Sequence, residues 1–488
     1  MINKDSASSI YWHDYETFGS NPRKDRPCQF AGVRTDLELN IIDDPLVMFC
    51  KPAPDFLPDP GACKVTGITP IKALEEGVSE AEFCARIEQQ FSQPGTCVAG
   101  YNSIRFDDEV TRHLLYRCFY DPYEREWKNG NSRWDIIDMV RLTHAVRPDG
   151  IHWPQREDGA ASFRLEDLTR ANTIGHEGAH DALSDVIATI EVAKLVRRHQ
   201  PRLYDFLFSH RHKSRIFPLL DVSKREPVLH VSAMYPASRG CLAVVIPLAQ
   251  HRQNRNEIIV CDLGENPAHW LGLSAEALQK RLFTRTEELP EAEHRIGLKT
   301  VHVNKCPVIA PLSVLDDNAA RRWGIDLAMC KQHLQQLEAV GDLEEKLVEV
   351  FSRPPVSDSG QDPDLMLYSG GFFSDRDKHS LRRIRTLSPA ELAAFKADFD
   401  DPRIPQLLFR YRARNFPECL NADENATWLA FCQGRILAEE SIAGVNWQEF
   451  HARLEELASD PDVSSRLVQE LGSYADKLGS MLSITKAG

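Results

Sequence analysis

The stretch Ile10-Tyr-Trp-His-Asp-Tyr-Glu-Thr17 decides how the amino-terminal part of the chain folds. Ile10–Tyr15 reads as a short strand, and Asp14 and Glu16 stand at its end. A strand has a side-chain period of two, so both carboxylates project from one face. Two neighbouring anions repel unless a cation holds them, and this makes the pair a candidate metal-binding element. Taken alone, such a pair is usually the acidic edge of a solvated strand. Working outward, the strand-like runs Gln29–Arg34, Leu46–Cys50 and Cys97–Tyr101 alternate with helical patterns over Glu80–Phe91, Phe106–Tyr120, Arg133–Ala145, Arg164–Ala171 and Asp181–His199. The alternation predicts an α/β domain over residues 1–197.

Two further acidic pieces belong to this domain. Asn102-Ser-Ile-Arg-Phe-Asp-Asp-Glu109 opens a helix whose apolar face is Val110, Leu114, Leu115, Cys118 and Phe119. At about 100° per residue, Asp107 lies roughly 30° from the centre of that face, Asp108 about 70° away, and Glu109 points outward. Asp107 is therefore the carboxylate expected to turn inward, although first-turn acids also suit a helix dipole. His180-Asp-Ala-Leu-Ser-Asp185 opens another helix, with His180 at its entrance and Asp185 further along.

The rest of the 488 residues bounds the function. Lys and Arg total 58 against 72 Asp and Glu, a net charge of −14 that repels nucleic acid at long range. No apolar run approaches the roughly 20 residues of a membrane helix, and the amino terminus lacks a signal-peptide core. The 12 cysteines include no C-x-x-C pair and read as reduced thiols of a cytoplasmic protein. A strand-rich segment (198–352) has candidate strands Pro227–Met234, Leu242–Leu248, Glu257–Leu263 and Thr300–Val308. The run Arg353–Asp364, rich in Pro, Ser, Gly and Asp, reads as a linker to a helical segment (353–488).

Strand D-x-E, helix-start F-D and H-x-A-x-x-D, in this order, resemble the DEDDh 3′→5′ exonucleases. The match is closer to the bacterial exonuclease I family. It is carried by His13-Asp-Tyr-Glu-Thr-Phe-Gly19, Gly67-Ile-Thr-Pro70, Arg105–Arg112, Asn131–Asp135 and Ser162–Glu166. Downstream it continues through His302–Pro307, Gly371-Phe-Phe-Ser-Asp375 and Tyr411–Pro417. The resemblance implies an RNase H-like exonuclease domain, then an SH3-like domain and a helical carboxy-terminal domain. It also implies Asp14, Glu16, Asp107 and Asp185 as ligands of two Mg²⁺ ions, replaceable by Mn²⁺, and His180 as general base. Two divalent ions about 3.5–4 Å apart can activate water and stabilise the leaving oxygen of a phosphodiester. The expected reaction is release of 5′-mononucleotides from the 3′ end of single-stranded DNA, in repair and recombination.

Residues 101–150 hold twice the chain's average aromatic content of 8%. Tyr123 and Trp127, in a polar context where burial is less obvious, suit base stacking, with local packing as the alternative. By resemblance, strand contacts fall at Glu16, Arg112, Tyr123, Trp127, Arg141, Arg164, Lys213 and Asn256, with Arg410, Arg412 and Arg414 as further candidates. Residues 201–240 carry seven Lys/Arg against three acids, a local excess compatible with a backbone-tracking groove. The resemblance also implies a monomer, associated with the nucleoid through DNA, that binds the acidic carboxy-terminal tail of single-strand-binding protein. An exoribonuclease of the same superfamily and a catalytically silent strand-binding module remain the alternatives.

Overall fold

The computed structural model describes residues 7–176, 181–285, 288–290, 295–341, 343–352 and 361–484. The chain forms two compact units. One comprises residues 1–132, 176–187 and 356–488, and the other residues 133–175 and 188–355.

In the first unit, strands β1 (Ser9–Thr17), β2 (Pro27–Thr35), β3 (Leu46–Phe49) and β4 (Thr96–Gly100) lie in the order β3-β2-β1-β4. β1 runs antiparallel to β2, placing Glu16 opposite Gln29, and parallel to β4. Every residue of β2 is buried, so its run is continuous rather than alternating, as expected of a strand covered on both faces. The helix Glu80–Phe91 is capped by Ser79, whose hydroxyl accepts the Glu82 N–H. It buries Phe83, Cys84, Ile87 and Phe91 against the sheet.

The helical carboxy-terminal segment packs in this same unit. Leu381, Ile384, Leu407 and Tyr411 share one core with Tyr11, Phe30, Phe83 and Leu114. A second core joins Phe18, Phe56 and Leu57 to Trp428, Phe450 and Leu471. Capping boxes at Ser388/Glu391, Asn421/Glu424 and Asn446/Glu449 start three of its helices.

The predicted linker is different in character at its end. Residues 353–360 lie outside the described residues, but Asp362 and Asp364 lie among arginines, and Asp364 is buried. Arg410 Nη1 reaches both acids, and the Arg414 and Arg435 guanidinium groups close on Asp364 and Asp55. Asp and Pro signal a turn in the sequence, and Asp362 does cap a 3₁₀ turn at Pro363–Leu365, while both aspartates also serve as counter-ions.

The predicted helix Arg133–Ala145 begins later than its pattern suggests. A short strand, β5 (Ser132–Asp135), falls where the two units divide, and the helix is Ile137–Val146. The Asp135 carboxylate accepts the Ile137 N–H at 3.1 Å, so the strand end supplies the helix start. The second unit contains a five-stranded antiparallel sheet. Its strands are β6 (Val228–Val231), β7 (Leu242–Gln250), β8 (Glu257–Asp262), β9 (Leu298–His302) and β10 (Val308–Pro311), in the order β10-β6-β7-β8-β9. The run predicted as one strand, Thr300–Val308, is split between β9 and β10 by a turn in which Cys306 has φ 45°. All 12 cysteines are buried free thiols. Among the described residues no helix is long and apolar enough to cross a membrane.

Candidate active site

The site lies in the first unit, at the end of β1. Asp14 and Glu16 project from one face of the strand, and Asp185 comes from the first turn of the helix Ala182–His199. One carboxylate oxygen from each of Asp14, Glu16 and Asp185 lies within 4.8 Å of the others, a spacing that could hold a metal ion.

Asp107 is placed by the turn that follows β4. Asn102 takes a left-handed conformation (φ 59°), a short 3₁₀ turn spans Ser103–Arg105, and the helix Asp107–Arg117 then begins. The Asp107 carboxylate accepts the Tyr15 N–H at 3.1 Å, which ties it to β1 between the two strand acids. Thr111 fixes this helix turn by donating its hydroxyl to the Asp107 carbonyl at 2.8 Å. The inward turn of Asp107 is as the helix geometry predicts. Asp108 is buried too, because Arg125 reaches its carboxylate at 2.6 Å and offsets the penalty for an internal charge.

The electrostatics of the cluster are one-sided. Burial raises the Asp14 carboxyl well above its usual range, and Asp107, Glu16, Asp185 and Asp181 push it further. Glu16 is raised from 4.5 to about 8, by burial first and then by Asp185, Asp107 and Asp181. Such a set of oxygen donors, held close at the cost of mutual repulsion, fits hard divalent cations. His180 lies outside the described residues.

Three residues of this region had no role in the sequence reading. Gln29, buried on β2 across from Glu16, donates to Asp181 Oδ1 at 3.1 Å and accepts the Ala182 N–H at 3.3 Å. This two-way clamp fixes the helix start that delivers Asp185, and a lone amide inside an apolar strand was its available signal. Asp181 is a fifth carboxylate whose charge reaches both Asp14 and Glu16. His176 Nε2 lies 2.5 Å from Asp185 Oδ1.

The aromatic candidates separate by exposure. Trp127 is 66% exposed, which argues against a packing role. Tyr123 is half-buried and meets Phe372 edge-on at 6.0 Å, and Phe372 is itself 81% exposed. Phe372 lies in the Gly371–Asp375 motif of the resemblance but had no role of its own in the sequence reading. Arg112 is buried: its guanidinium pairs with both oxygens of Glu126 and with Glu109, and it lies 5.4 Å from the Tyr123 ring centre. A phosphate meeting Arg112 would have to compete with those acids. Arg410 and Arg414 are likewise internal, and Arg412 pairs with Glu424. These three further strand-contact candidates thus each meet a carboxylate within the unit.

The remaining candidates belong to the second unit. Arg164 and Lys213 are exposed there, and Asn256 is half-buried with its carbonyl accepting the Val303 N–H at 2.8 Å. Arg141 pairs with Asp138 at 2.6 Å.

A strand-borne acidic pair completed by two helix-borne carboxylates defines a nuclease of the exonuclease class, and the family model described as Exonuclease matches residues 11–193. The models Exonuclease I SH3-like domain and Exonuclease I C-terminal domain match residues 211–353 and 361–478. The exodeoxyribonuclease I of Escherichia coli (strain K12) is 44% identical over 479 residues, covering 98% of this chain and 100% of its own. The solved structure of a moderately thermophilic exonuclease I from Methylocaldum szegediense is 53% identical at a TM-score of 0.92, covering 96% of this chain and 99% of its own. A zinc-ion-bound complex of E. coli exonuclease I with single-stranded DNA is 44% identical at a TM-score of 0.90, with the same coverage. The chain belongs to the exonuclease I family, whose members are exodeoxyribonucleases. Its architecture is accordingly an α/β exonuclease domain, an SH3-like domain and a helical carboxy-terminal domain.

Proposed function

We propose that this protein is a Mg²⁺-dependent 3′→5′ exodeoxyribonuclease that removes 5′-mononucleotides from single-stranded DNA in repair and recombination. The observation that carries the reading is the set Asp14, Glu16 and Asp185, gathered within 4.8 Å with Asp107 tied to the same strand. Two divalent ions bound there would neutralise the phosphate, activate water and stabilise the leaving 3′-oxygen. Asp14 and Glu16, facing the same way from one strand, hold the centre of the site. Asp107 and Asp185 close it from two helices. His180 is assigned to take the proton from the attacking water, a step typically worth about 10²–10⁴-fold.

Trp127, Tyr123 and Phe372 form the proposed stacking face, which suits single strands because every base offers a π-face. Arg112, Arg141, Arg164, Lys213 and Asn256 are proposed as further strand contacts. We assign functional domains to residues 1–197, 198–352 and 353–488. A cytoplasmic monomer that meets the acidic tail of single-strand-binding protein is part of the same proposal.

The test is to incubate end-labelled single-stranded DNA, double-stranded DNA and matched RNA with Mg²⁺, Mn²⁺ or EDTA. A ladder of 5′-mononucleotide release from single-stranded DNA alone, abolished by EDTA and by Asp14→Asn, is expected. Preferential digestion of RNA, or undiminished cleavage in EDTA, would refute the proposal.

A further inference from the structure

A carboxylate that ligates a cation is held in its rotamer by the hydrogen bonds it accepts, and without them the side chain can rotate away from the site. His176 supplies such a restraint at Asp185. Its Nε2 sits 2.5 Å from Asp185 Oδ1, and its side chain is only 5% exposed, so the bond forms where water competes little. An ionised carboxylate can only accept, which makes Nε2 the protonated ring nitrogen in this contact. The helix start that carries Asp185 is held separately by Gln29, through Asp181 and the Ala182 N–H. The backbone is thus anchored by one residue and the side chain by another.

We propose that His176 is a positioning residue that holds Asp185 in its cation-binding rotamer, and that it thereby sets the metal affinity of the site. The inference rests on the reading of Asp185 as a metal ligand. Outer-shell partners of this kind are typically worth about 10–100-fold in metal affinity.

The experiment measures Mn²⁺ binding by the EDTA-stripped full-length protein, following free Mn²⁺ by electron paramagnetic resonance, with no DNA present. The proteins are wild type, His176→Phe, His176→Leu, His176→Gln and Asp185→Asn, each checked for native circular dichroism. His176→Phe fills the ring's space without a donor, His176→Leu gives a second donor-free version, and His176→Gln retains an N–H near the Nε2 position. Binding weakened about 10–100-fold in the Phe and Leu variants, and largely restored in the Gln variant, is expected. Wild-type affinity in both donor-free variants, with binding lost in Asp185→Asn, would overturn the role of His176 and leave the proposed active site standing. Equal weakening in the Gln and Phe variants would overturn it as well, since packing rather than a hydrogen bond would then be responsible. Undiminished Mn²⁺ binding by Asp185→Asn would remove that carboxylate from the site and sink both readings.

Discussion

Replacing Glu16 by Gln should make the metal-free protein more stable at alkaline pH while abolishing turnover. Glu16 is 8% exposed and its carboxyl is raised from 4.5 to about 8. Below pH 4.5 it is protonated in both the folded and the unfolded chain, and the group contributes no pH dependence. Between 4.5 and about 8 the unfolded chain gives up this proton and the folded chain keeps it, so stability falls as pH rises. At roughly 1.4 kcal/mol per decade, the full loss is on the order of 5 kcal/mol by about pH 9. The amide of the Glu16→Gln variant cannot ionise, and removing one anion also relieves Asp14. In EDTA the variant and the wild type should therefore melt together near about pH 5 and separate progressively towards about pH 9. A difference on the order of 10 °C is expected, because about 1 kcal/mol moves the midpoint by about 2–4 °C at 150–250 residues and by somewhat less in a larger unit. Mg²⁺ should close the gap from the other side, stabilising the wild type by about 2.7 kcal/mol at a hundredfold excess over its dissociation constant. Differential scanning calorimetry of both proteins at four pH values, with EDTA and with Mg²⁺, provides the comparison. Parallel pH profiles for the two proteins in EDTA would refute the argument that repulsion and burial are stored in this cluster.

The other charged and aromatic sites carry two further expectations. Trp127→Ala and Phe372→Ala should each weaken oligo(dT) binding in metal-free buffer by roughly 1–3 kcal/mol with little change in melting temperature. A lowered melting temperature with unchanged affinity would make them packing residues. Asp364→Asn should destabilise the first unit by roughly 3–5 kcal/mol, because the buried guanidinium groups of Arg410, Arg414 and Arg435 lose a shared counter-ion. Its carboxyl is held well below its ordinary value by Arg414 and Arg435 against the cost of burial, so the contribution is present above about pH 4 and lost in strong acid. Chemical denaturation at neutral pH and in acid checks both the size and the sign.

The parts of the site that were legible in the sequence rest on local periodicity. The period of two placed Asp14 and Glu16 on one face, and the angle around the helix Asp107–Arg117 turned Asp107 inward. What escaped depends on partners distant along the chain. Asp108 is buried because Arg125 reaches it, and no helical angle contains that information. Arg414 reads as part of a basic run, yet its guanidinium closes on Asp55, 359 positions earlier. Gln29 looks like an ordinary strand residue until the start of the helix Ala182–His199 is brought against it.

Two groups of carboxylates withdrawn from solvent in the first unit show why only one of them is read as a site. Asp55 and Asp364 are at least as deeply buried as Glu16, but arginines surround them and hold both carboxyls below their ordinary values despite burial. The strongest charges acting on Asp14 and Glu16 are other carboxylates, and both are raised. Residue type is shared, and the sign of the neighbouring charge separates the two groups. The arginine-matched group is complete within the chain and stabilises it through ion pairs that bridge distant segments. The unmatched group costs the folded protein stability at neutral pH for as long as no cation is supplied from outside. A bound cation would relieve an uncompensated cluster of this kind, and that supports the metal-binding reading proposed for Asp14, Glu16, Asp107 and Asp185 over one placed in the larger ionic network.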